Sequence, residues 1–214
     1  YVEDIPSNQI ENWAKIQADR FSNAVIRGFH TELETVYEEK NMSLTKDFQK
    51  ALATIDGILF PDHPYGTQTV LGTQEHLKNP SIINIKNYYK KYYVPNNMAI
   101  CVSGDFNPDE MVAIIEKYFG RMQPNEDLSE LTLKTEFQLE APVEKEVYGL
   151  DAEAIIMGWK YPGAASKDAL IAEVAASVLY NGAAGLIDLN INQEQKVLGA
   201  SGMSYPRPDA SELI

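Results

Sequence analysis

Apolar residues recur at helical spacing through the first sixty positions and then stop abruptly at Pro61-Asp62-His63-Pro64-Tyr65-Gly66. That pattern limits the fold more than any other feature of the chain. Ile10, Trp13, Ile16 and Phe21 form one stripe, predicting a helix over 8–22 with Asn8 as N-cap and Glu11 completing a capping box. Ile26, Phe29, Leu33 and Val36 form a second stripe running from Asn23 to about Asn41, and Leu44, Phe48, Leu52, Ile55 and Leu59 a third over 44–59. Two prolines and a glycine within 61–66 then deny both a helix and a central strand.

Beyond this break the period changes. A helix is expected over 81–93, with Ile82, Ile85 and Tyr89 on one face. Met98 to Val102 reads as a buried strand, and Asn107-Pro108 opens a helix that Phe119-Gly120 closes. The polar, acidic stretch after Arg121 is the best linker, with an edge strand expected from Leu131 to Leu139. Ala154 to Trp159 reads as another strand. Ser166 then caps a helix that turns Leu170, Val174 and Val178 inward and ends at Asn181-Gly182. Helices interleaved with short strands make the fold class α+β.

Composition removes several functions. The chain of 214 residues has 18 Lys+Arg against 31 Asp+Glu, a formal charge of -13 that disfavours nucleic acid and anionic membrane surfaces. No apolar run approaches the ~20 residues of a membrane-spanning helix. A single cysteine, Cys101, excludes an intramolecular disulfide and is compatible with either cytoplasm or periplasm. The first residue is Tyr1 rather than methionine, so the chain is expected to be an interior segment of a longer protein.

Chemistry-bearing residues are few. The three histidines, His30, His63 and His76, have no partner four residues away, so no helical two-histidine zinc motif is present. His30-Thr31-Glu32 matches half of a zinc deaminase signature, but the other half needs two cysteines. Glu32 stands out differently. At about 100° per residue, Val25, Phe29 and Val36 fall within about 60° of it, while Glu34 and Glu38 point away. A carboxylate beside an apolar stripe is either solvated at the stripe's edge or held by a counter-charge or a metal. His63-Pro64-Tyr65-Gly66 reads as a rigid turn or a site loop, and His76 as a surface residue. Tyr88, Tyr89, Tyr92 and Tyr93 interleave with Lys86, Lys90 and Lys91, which suggests base stacking and phosphate contact. The negative net charge instead favours core tyrosines with snorkelling lysines.

The order of segments resembles the pitrilysin/insulinase family of zinc peptidases, the inverzincins. The resemblance covers roughly residues 1 to 200. It rests on Phe29-His30-Thr31-Glu32-Leu33-Glu34, His63-Pro64-Tyr65-Gly66, Leu71-Gly72-Thr73 with Leu77, Tyr92-Tyr93-Val94-Pro95-Asn96-Asn97-Met98, Ser103-Gly104-Asp105 and Tyr118-Phe119-Gly120. It implies a two-layer α/β domain of the metalloprotease LuxS-like type, truncated at its N-terminus, over residues 1–137. The start of a second, similar domain is expected over 138–214.

In that family an inverted His-x-x-Glu-His helix supplies two zinc ligands and a general base, and a glutamate on a later helix supplies the third ligand. Zinc there lowers the pKa of its bound water toward ~7 and polarises the scissile carbonyl. By position, Glu32 matches the distal glutamate. The paired-histidine motif is absent from this chain and belongs upstream in the family, so zinc is expected in the intact parent and the segment alone is expected to be inactive. Many active members also carry an acidic residue where this chain has Val25. Two readings therefore stand: a fragment of a zinc peptidase acting on peptides or unfolded polypeptides between two halves of a clamshell, or a non-catalytic scaffold partnering an active paralogue.

Overall fold

A computed structural model describes residues 1–128, 133–135 and 138–214. It is an α+β chain rich in helix. The helices are α1 (Ile10–Ser22), α2 (Phe29–Leu44), α3 (Asp47–Leu59), α4 (Pro64–Thr67), α5 (Gln74–Lys78), α6 (Ile82–Tyr92), α7 (Pro108–Phe119) and α8 (Lys167–Leu179). The strands are β1 (Trp159–Pro162), β2 (Ser204–Tyr205) and β3 (Ala210–Leu213). The chain divides into two compact units, Tyr1–Thr35 with Glu75–Leu131, and Val36–Gln74 with Thr132–Ile214.

In the first unit α1 packs on α7. The buried face of α1 is Ala14 and Ala18, one turn apart, whereas Ile16, expected inside, is exposed. Two alanines let the helices approach closely, and Met111 of α7 is buried while the Trp13 and Phe119 rings sit 6.3 Å apart. The expected capping box does not form. Gln9 N–H donates to the Pro6 carbonyl at 2.9 Å, drawing Ser7–Gln9 into a short 3-10 turn, and α1 starts without a side-chain cap. Asn107 does cap α7, its Oδ1 accepting from the Asp109 and Glu110 amides with Pro108 at the first position.

The second helix starts later than its stripe implies. Gly28 has φ +62, a left-handed conformation that interrupts any helix from Asn23, so Ile26 and Val25 precede α2 rather than belonging to it. Met98 to Val102 is not a strand, because no described strand lies beside it to take its N–H and C=O groups.

The second unit holds a three-stranded antiparallel sheet ordered β1-β3-β2. Residues 154–158, expected as strand, lie outside it. The ladder with β3 begins at Trp159↔Leu213 and ends at Pro162↔Ala210. The expected edge strand from Leu131 to Leu139 falls partly on residues 129–132 and 136–137, which are outside the described residues; 133–135, 138 and 139 are not strand. Leu59, Phe60 and Ala210 form the core, with Ile55 and Tyr65 against it. The 61–66 segment is not wholly irregular: proline is welcome at the first helical position, and Pro64 starts the single turn of α4.

Ser166 caps α8 as its sequence implies, its hydroxyl accepting from Ala169 N–H. The inward face is a different matter. Ala169 and Ala176 are buried, while Leu170, Val174 and Val178 are exposed. The sheet contacts α8 through its small residues, and nothing described covers its large ones.

Candidate functional site

Glu32 sits in the first turn of α2, its amide donating to the Gly28 carbonyl at 3.0 Å. A carboxylate there complements the positive end of the helix dipole. Its side chain is exposed, with Phe29 and Val36 half-buried on the same helix and Val25 off it. The neighbouring His30 ring packs edge-on to Phe29 at 5.5 Å. Among the described residues no three His, Cys, Asp or Glu side chains converge on one point. A zinc site needs at least three protein ligands, so the residues present do not by themselves fit the metal. His76, in the last turn of the short α5, is exposed.

The densest chemistry lies in the second unit, around His63. The His63 side chain is 2% exposed and caps α4: its Nδ1 accepts from Tyr65 N–H at 3.1 Å. Its Nε2 points toward Asp209 Oδ2 at 3.5 Å, with no closer hydrogen-bond partner among the described residues. Tyr65 O–H donates to the same Asp209 carboxylate at 3.2 Å, and burial raises the phenol above its ordinary pKa. The rings of Phe60, His63 and Tyr65 pack mutually, Phe60 to Tyr65 at 5.6 Å and His63 to Tyr65 at 4.1 Å.

Over these rings lies Arg207, its guanidinium 4.8 Å from the Tyr65 ring centre and 5.4 Å from that of Phe60. Its Nη2 donates to Asp56 Oδ1 at 2.9 Å and to Glu212 Oε1. Glu212 is 2% exposed and its Oε2 has no hydrogen-bond partner among the described residues. Burial first, and the nearby Asp56 charge second, push its carboxyl up to about 7, against the lowering effect of Arg207. One guanidinium thus serves two carboxylates. Across the sheet Lys160 stands directly opposite Glu212 in register, its Nζ donating to the Thr135 carbonyl at 2.6 Å and lying 5.4 Å over the Phe60 ring. Burial lowers the pKa of this lysine. A cavity of about 480 Å³ adjoins the cluster, walled by Leu59, Leu139, Trp159 and Pro162 with Lys160 and Asp209 at its polar side.

This cluster ties the α3–α4 corner to β3. It brings no nucleophile against His63, so its chemistry is that of a buried polar lock. Sequence reasoning reached only the His63-Pro64-Tyr65-Gly66 segment. Asp56, Arg207, Asp209 and Glu212 escaped it because Asp56 and Arg207 are 151 positions apart and Tyr65 and Asp209 are 144 apart. The only available hint was the Pro206-Arg207-Pro208-Asp209 turn.

The sequence profile described as "Peptidase M16 inactive domain" matches residues 83–212, more than half of the chain. An uncharacterized zinc protease of Mycobacterium leprae is 36% identical over 62 residues, covering 29% of this chain and 14% of that protein. The zinc protease PqqE of Helicobacter pylori is 24% identical over 151 residues, covering 67% of this chain and 32% of its own length. The crystal structure of a protease from Helicobacter pylori superposes with a TM-score of 0.76 at 15% identity, over 98% of this chain and 52% of that one. The chain therefore spans a third or less of these curated relatives and about half of the solved structure.

Proposed function

Because the chain belongs to the M16 peptidases, the pitrilysin/insulinase family, we propose that it is part of a zinc-dependent peptidase that hydrolyses peptides through a metal-bound water. The match of the family profile over 83–212, with relatives named zinc proteases, carries this reading. Glu32 is the ligand this segment contributes, and the remaining donors come from elsewhere in the protein. Residues 1–137 belong to a first peptidase-like domain and 138–214 open a second. Peptides or unfolded polypeptides held between two clamshell halves are the substrates. Among the described residues no helix is long and apolar enough to cross a membrane.

A second reading is favoured by a specific observation: the matched profile is described as that of the family's inactive domain. In that case the protein is a non-catalytic scaffold or peptide-binding subunit partnering an active paralogue. The two readings separate on the complete protein. Elemental analysis is expected to find zinc in the wild type and little in Glu32→Gln, with cleavage of an internally quenched unfolded peptide lost in parallel. Equal zinc in both would remove Glu32 from the ligand set. A wild type holding no zinc and cleaving nothing would leave the scaffold.

A further inference from the structure

The first unit contains a cavity of about 910 Å³ where three helices end: Phe21 and Ser22 close α1, Lys86 to Tyr93 the last turns of α6, and Arg121 to Asn125 follow α7. Four cations line it, Lys86, Lys90, Lys91 and Arg121, and no Asp or Glu does. In a chain with 31 acidic and 18 basic residues, an acid-free basic lining runs against composition. None of the four forms an ion pair among the described residues.

The simplest alternative is that these cations only neutralise helix C-termini. Magnitudes argue against it. Three helix ends carry about half an elementary charge each, or ~1.5 negative in all, against four full positive charges, leaving about +2.5. The end of α6 is moreover already capped. Asn125 Nδ2 donates to the Lys91 carbonyl at 3.0 Å and Asn97 Nδ2 to the Tyr92 carbonyl at 2.9 Å. Asn96 and Asn125 also bond each other reciprocally, at 2.8 and 3.0 Å, fixing the Arg121–Asn125 wall against α6. The C-terminal end of α1 is contacted by the Tyr89 hydroxyl, which donates to the Phe21 carbonyl at 3.4 Å.

We infer that this cavity binds an acidic polypeptide segment. Its lining includes an aromatic pair, Tyr89 and Tyr93 being stacked at 4.2 Å with 11° between their planes. Its charges are ammonium and guanidinium tips spread over a helix length of about 7.5 Å between Lys86 and Lys91, with Arg121 on the facing wall. Compact phosphates are typically held by backbone N–H groups at helix N-termini, and this cavity presents only C-termini. Separated side-chain cations beside an aromatic pair suit separated carboxylates on a chain that also offers apolar contacts. The inference rests on the peptide-handling reading above for the kind of occupant and on the cavity itself for the charge.

The test uses the complete protein and a fluorescein-labelled Glu-rich peptide, followed by anisotropy at low ionic strength, with a Lys-rich peptide of equal length as control. The Glu-rich peptide is expected to bind and the Lys-rich one not. Lys86→Glu with Lys90→Glu is expected to weaken binding by ~10-fold or more, and added salt to weaken it further. If the charge reversal lowers the melting temperature, the milder Lys90→Gln with Lys91→Gln decides, with a loss of several-fold expected. Unchanged affinity in a folded variant overturns the site. Competition by inorganic tripolyphosphate at or below the peptide's own concentration overturns the polypeptide assignment in favour of a phosphate site. Glu32→Gln is expected to keep full binding, so failure of the metal assignment and failure of this one are separable.

Discussion

Two arginines show how differently this chain uses charge. Arg207, in the second unit, lies over two aromatic rings and serves two carboxylates, one of them sealed from water. Arg121, in the first unit, is exposed at the rim of a cavity with three lysines and no carboxylate. The first set of charges is satisfied internally and contributes to holding a corner of the fold. The second is left unsatisfied by the described residues, where solvent or a partner can reach it. Low dielectric makes the difference: removing one member of a buried ion cluster strands the others, whereas an exposed cation is screened by water and salt.

The sharpest way to break this contrast is to remove each arginine. At pH 8, where Glu212 is ionised, Arg207→Ala is expected to cost about 3 kcal/mol or more in urea unfolding, because Glu212 and Asp56 lose their shared cation. Arg121→Ala is expected to stay within about 0.5 kcal/mol. Equal costs would erase the distinction. Next in size is Gly66→Ala. A Cβ there would run into the Phe60 and Asp56 carbonyl oxygens in the corner that supports the cluster. Backbone must shift, at about 1–3 kcal/mol, and a neutral result would show the corner to be looser than described.

The pH dependence carries its own sign. Glu212 titrates near 7 when folded against 4.5 as an ordinary glutamate, so the folded state holds its proton more tightly. The resulting stabilisation is complete below about 4.5 and is lost as the pH rises to about 7. Calorimetry across that range should show the wild type losing stability relative to Glu212→Gln. A constant difference between the two would contradict the raised pKa. The smallest effect concerns the first unit's cavity wall: Asn125→Ala removes the one side-chain donor to the Lys91 carbonyl among the described residues and should cost about 1 kcal/mol, measured by thermal unfolding.

Local signals in the sequence were reliable where they act over a few residues. Asn107 with Pro108 and Ser166 start the helices they predict, because a cap needs only its own side chain and amides two or three positions on. Gly28 shows the limit. Its left-handed φ separates Val25 from α2, so one of the three neighbours in the wheel argument for Glu32 is lost, while Phe29 and Val36 stay on its helix. The stripe of α8, and Ile16 in that of α1, misled in another way. Large apolar residues marked a face, but alanines are what neighbouring elements bury, since only small side chains permit close approach.

By itself the sequence determined the α+β class, the positions of most helices and the family, and it pointed to Glu32 as a candidate ligand. Only tertiary structure decided that Lys160 faces Glu212 across the sheet, that Asp56 and Glu212 share Arg207, and that four cations gather at the ends of three helices. The physical reason is range. Caps, turns and periodicity are settled between neighbours along the chain, whereas charge clusters are settled by strand register and helix packing, which bring together residues as far as 151 positions apart.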